Sequence, residues 1–175
     1  VIQNVGAVTW VNGTTGLNGV VSADNSLVGS KASDLVGSRD ILKLNGSSNY
    51  LVVSDNWDND SAVDAGAVTW ANGSTGLIGV VGSDNSLVGV KSQDRVGLTP
   101  GGGGTPTSGV QLLSNGNYIV RSGYWANGSV INAGAVTWGS GSTGVKGEIT
   151  SANSLVGSLA NDRIGLQGVV ELSNG

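Results

Sequence analysis

Length bounds the chain to one domain or a short repeat array: 175 residues, with 31 Gly, 2 Pro, 38% hydrophobic and 11% charged residues. That mixture, rich in Val, Ser, Asn and Thr, favours short strands and tight turns and is too apolar for a disordered chain. Eight basic residues scattered singly beside 12 acidic ones, and no Cys, His, Met or Phe, argue against nucleic acid, anionic membranes, disulfides, thiolate or imidazole metal sites and any histidine-dependent nucleophile.

In chain order, residues 1–5 resemble residues 130–133, the stretch ahead of the third copy of a recurring pentapeptide. That pentapeptide, GAVTW, fills residues 6–10, 66–70 and 134–138, at spacings of 60 and 68 residues. Each copy is followed by a Thr-Gly turn, then by Asn-Ser-Leu-Val-Gly beginning at Asn25, Asn85 and Asn153, then by Asp34, Asp94 or Asp162 ahead of an apolar-Gly pair. A second block, a Leu with an Asn-Gly turn and then Asn-Tyr-x-Val-x-Ser, fills residues 44–54 and 113–122 and begins again at Leu172. The longer second spacing comes from a Gly/Pro/Thr-rich run at residues 99–109, read as a loop insertion. Within it residues 101–104 read as a flexible linker, because the Lys-Ser/Thr and helix of a phosphate cradle are missing.

Each unit offers four strands: the run into the first Asn-Gly turn, the Asn-Tyr run, the Ala-Val-Thr-Trp run, and the stretch through Asn-Ser-Leu-Val-Gly. Period-2 alternation and β-branched content support them, Asn-Gly pairs at Asn12, Asn72, Asn115 and Asn127 supply turns, and no helical stripe competes. The expected fold is all-β, a β-propeller-like array of about three four-stranded blades, completed by a second chain or a longer array. Units are drawn at residues 1–65, incomplete at the N-terminus, 66–133, carrying the insertion, and 134–175, truncated. The chain thus cuts through a repeat, and the missing Met predicts a processed product or a fragment. No apolar run approaches the roughly 20 residues that span a bilayer, so no membrane insertion is expected.

The order of these motifs, read through residues 26–37 and 44–70, resembles the FG-GAP repeat of integrin-alpha-type β-propellers, and also repeats of very large bacterial surface proteins. The resemblance implies rings of about seven blades, often with calcium loops of the Asp-x-Asp-x-Asp-Gly kind. Here the corresponding turns, LNGSSN at residues 44–49 and LSNGNY at residues 113–118, hold no carboxylate, so that calcium site does not carry over.

Several residues invite a functional reading. Trp10, Trp70 and Trp138 end apolar strands and are expected to pack between units. Trp57 and Trp125 sit in polar turns, SDNWDND and SGYWANG, and are the expected ligand-binding residues, with carbohydrate as the ligand. Asp55, Asp58, Asp60 and Asp64 could supply oxygen ligands to calcium, though the equivalent positions 123, 126, 128 and 132 hold no carboxylate. The recurring Asp34, Asp94 and Asp162 read as turn formers rather than a glycosidase pair, and no enzyme is expected. Asn-Gly-Ser/Thr at Asn12, Asn72 and Asn127 matches the glycosylation pattern by composition alone. The reading is a non-catalytic structural or interaction module of an extracellular bacterial protein, with itself as partner; the alternative is a carbohydrate-binding module.

Overall fold

A computed structural model describes residues 2–101 and 105–173. Residues 102–104 of the linker expected at 101–104, and the last two residues of the block begun at Leu172, lie outside the described residues.

Among the described residues there are fourteen strands and no helix, in four sheets none of which closes into a barrel. The first unit contributes β1 (Ala7–Val8) and β2 (Leu27–Val28), paired antiparallel. In the second unit β3 (Asp40–Lys43), β4 (Tyr50–Ser54) and β5 (Ala67–Ala71) form a meander; β6 (Gly79–Val80) leaves the sheet, and β7 (Ser86–Val88) returns to pair with β5. A hairpin of β8 (Leu98–Thr99) and β9 (Thr107–Ser108) follows. The third unit repeats the plan with β10 (Val110–Leu112), β11 (Tyr118–Ser122), β12 (Ala135–Gly139), an excursion through β13 (Gly147–Glu148), and β14 (Ser154–Val156).

The insertion at residues 99–109 is therefore strand at its root, where Thr99 pairs with Thr107, a β-branched pair that suits a ladder. Boundaries drawn at the GAVTW glycines fall inside sheets, since β4 and β5 on either side of Gly66 pair from Tyr50↔Ala71 to Ser54↔Ala67.

The units stack through their sheet faces. Leu27 and Val36 of the first unit meet Val52, Trp57, Ala67, Val81 and Val88 of the second in one core. On its other face, the second unit offers Leu51, Val53, Val68, Leu87 and Val96 to Tyr118, Val120, Trp125, Ala135 and Ile149 of the third. This accounts for the near-continuous burial of β4, whose Leu51, Val52, Val53 and Ser54 are all buried: alternate side chains enter two different cores. β11, covered on one face only, alternates buried with half-buried residues instead.

Candidate functional site

The residues that recur in the sequence converge on the junctions between units, and each does a definable job there. Gly66 opens the second GAVTW with φ +77°, and a Cβ at that position would run into the Val96 amide; Gly134 meets Ile164 in the same way with φ +75°. The threonine of the motif bonds the serine of Asn-Ser-Leu-Val-Gly across the sheet, at 2.6 Å for Thr69 with Ser86 and 2.6 Å for Thr137 with Ser154. The tryptophan reaches forward into the next unit. Trp10 Nε1 donates to the Gly73 carbonyl at 2.9 Å and Trp70 Nε1 to the Gly141 carbonyl at 3.0 Å, while Gly76 and Gly144 press on the two indole stems.

The recurring aspartate joins two units through its two oxygens. Asp94 Oδ2 accepts the Val90 and Lys91 amides at 3.0 and 2.9 Å, closing its own turn, and Oδ1 accepts the Ala126 amide of the next unit at 3.0 Å. Burial pushes the Asp94 carboxyl above the usual carboxylate range, against the opposing pull of these three N–H donors. Asp34 repeats the arrangement, with Ser30 and Lys31 amides at 2.7 and 2.8 Å and the Asp58 amide at 3.1 Å. Asp162 closes its own turn through Ser158 and Leu159 and bonds no other unit among the described residues.

A strand exchanged between units completes the junction. β6 lies parallel on β2, with the Gly79 amide donating to Ser26 at 3.0 Å and the Val81 amide to Val28 at 3.1 Å. β13 lies on β7 in the same register, the Ile149 amide reaching Val88 at 3.3 Å. The asparagine of Asn-Ser-Leu-Val-Gly aims each of these hooks. Asn85 Oδ1 accepts the Gly82 amide at 3.0 Å while its Nδ2 donates to the Val80 carbonyl at 2.9 Å. Asn153 makes the same pair of bonds to Thr150 and Glu148. Within the third unit, at the core it shares with the second, the Tyr118 hydroxyl accepts the Val145 amide at 3.1 Å, and burial pushes the phenol up to about 12.

Two sets of sequence-predicted site residues have other tasks. Trp57 and Trp125 are only 4% and 5% exposed, and each fills one junction core. Polar neighbours place these residues in turns, but the apolar face that covers the indoles belongs to another unit, so the local sequence gives no sign of it. Their Nε1 atoms have no hydrogen-bond partner among the described residues. The four aspartates do not gather around a cation: among the described residues no three acidic side chains converge in a metal-holding group. Asp55 is buried in a two-bond pair with Arg39 at 3.1 and 2.9 Å, Asp64 pairs with Arg95 at 3.2 Å, and Asp58 accepts the Asp64 amide at 2.8 Å. Asp60 is exposed, and its carbonyl receives Lys31 Nζ. Carboxylates spaced for calcium in the sequence are thus separated by their ion-pair and turn partners.

The loop surface over the second and third units carries a polar groove of about 400 Å³ lined by Asn, Ser and Gly, including Asn45, Asn49, Asn117 and Ser142. No titratable group lines it, and Asn45 and Asn49 already spend their amides on the carbonyls of Leu113 and Gly141. The groove is a seam of the junction.

Fold and site together define an all-β tandem-repeat protein whose recurring polar residues link one unit to the next. The chain belongs to the DUF5650 family, a repeat of unknown function, whose model matches residues 1–38, 44–98 and 112–166. Each of the three matches spans one GAVTW copy and the Asn-Ser-Leu-Val-Gly stretch after it, and none identifies an FG-GAP repeat. A search of curated proteins found no match.

Proposed function

We propose that this chain is a non-catalytic structural module, a length of scaffold, filament or adhesin stalk from an extracellular bacterial protein. The observation that carries the reading is the use made of the recurring residues. A repeated acid, amide or indole that served a ligand would point outward, whereas Asp34, Asp94, Asn85 and Trp70 are engaged in turn, hook and junction bonds. The three stacked sheets, of three, five and four strands, act as blades comparable with those of FG-GAP propellers, each packed face to face on its neighbour as repeat architectures require. The resemblance to repeats of very large bacterial surface proteins supports a place outside the cell.

A thermal-shift screen of the intact chain against a saccharide library and calcium tests this. The scaffold reading expects no saturable rise in the unfolding midpoint with any of them. A saturable rise with one saccharide and not its epimer would overturn it in favour of carbohydrate binding.

A further inference from the structure

The two ends of the stack expose the two halves of the junction already seen twice inside it. At the third unit, β14 is the last strand of its sheet. Its Leu155 is 73% exposed, although the equivalent Leu27 and Leu87 are fully buried beneath the next unit. At the first unit, residues 17–21 correspond to residues 77–81, the second unit's hook, but lie on no sheet among the described residues. Val20 and Val21 are 87% and 56% exposed, whereas Val81 and Ile149, which stand where Val21 does, are buried.

This free hook is already set in its working shape. Asn25 Nδ2 donates to the Val20 carbonyl at 2.9 Å and Asn25 Oδ1 accepts the Ser22 amide at 3.0 Å, the bonds that Asn85 and Asn153 make at the two occupied hooks. Gly19 has φ +128°, in the same left-handed region as Gly79 at +114° and Gly147 at +95°. The Val20 carbonyl is thus held as the Val80 carbonyl is, beside which the Val81 amide donates to Val28. A strand that is ordered before it binds gives up little conformational freedom on docking.

We propose that residues 17–21 of one copy of this chain add as a parallel strand to the open edge of β14 in a second copy, joining copies head to tail. By register with the internal junctions, the Val21 amide donates to the Val156 carbonyl, and Leu17 and Val21 cover Leu155 as Leu77 and Val81 cover Leu27. Because hook and edge are different surfaces, the contact is heterologous and repeats along a chain of copies rather than closing on a symmetric pair. The inference rests on the scaffold reading and names that scaffold's partner as the protein itself.

Sedimentation equilibrium on the intact protein reads the association. The wild type is expected to associate with rising concentration. Val21→Pro, which removes the donating amide from an exposed segment, and Leu155→Asp, which places a charge where an apolar contact forms, should each weaken association at least about tenfold. Circular dichroism and the unfolding midpoint of both variants should match the wild type, since neither residue is covered in the single chain. Mixing the two variants supplies one intact hook and one intact edge, so a 1:1 complex should form and grow no further. A wild type that stays monomeric, a Val21→Pro protein that associates undiminished, or a mixture that gives no 1:1 complex overturns the proposal. Those results leave the internal junctions and the scaffold reading standing; only a specific ligand in the thermal-shift screen removes the latter.

Discussion

An aspartate at a junction has two acceptor oxygens, and both are in use at Asp94. Replacing it with asparagine leaves one oxygen and turns an N–H₂ either toward the Ala126 amide or toward those of Val90 and Lys91, donor facing donor in a buried site. Asp94→Asn should therefore cost about 1–3 kcal/mol in urea unfolding. Asp162→Asn, where one oxygen suffices for the exposed turn, should stay within about 0.5 kcal/mol of wild type. Equal effects at the two positions would count against the two-unit role of Asp94. Recurrence in the sequence is enough to mark Asp34, Asp94 and Asp162 as turn formers, because that half of the bonding is local. The other half, to Asp58 and Ala126, spans 24 and 32 residues and leaves no local trace. The burial of Trp57 and Trp125, whose polar turns suggest ligand binding, leaves no local trace for the same reason.

The elements divide along the same line. Strands β3 to β5 and β10 to β12 are legible because they are three to five residues long, rich in Val, Leu and Ile, and flanked by Asn-Gly turns. The hooks β6 and β13 are not, because two residues show no alternation and their strand character comes from a partner in another unit. Their dependence on an aiming asparagine can be measured. Asn85→Ala frees a hook that is docked on β2, and should lower stability by about 1–2 kcal/mol in urea unfolding. Asn25→Ala frees a hook that pairs with no sheet among the described residues, so its effect should be distinctly smaller under dilute conditions. If both cost the same, the asparagine stabilises only its own turn and the hook contributes little.

At the scale of the whole molecule, stability is that of a stack in which only the middle sheet is covered on both faces. Its β4 is almost wholly buried, while Trp138, the third copy of the junction tryptophan, stands 54% exposed. The all-β class and the repeat plan follow from composition and recurrence; the exchange of strands between units does not, since it needs the three-dimensional register. That exchange is the central claim, and amide hydrogen exchange by NMR on dilute protein addresses it directly. The Val81 and Ile149 amides, bonded to Val28 and Val88 across unit boundaries, should exchange orders of magnitude more slowly than the Val21 amide on the undocked hook. Exchange at Val81 and Ile149 as fast as at Val21 would contradict it.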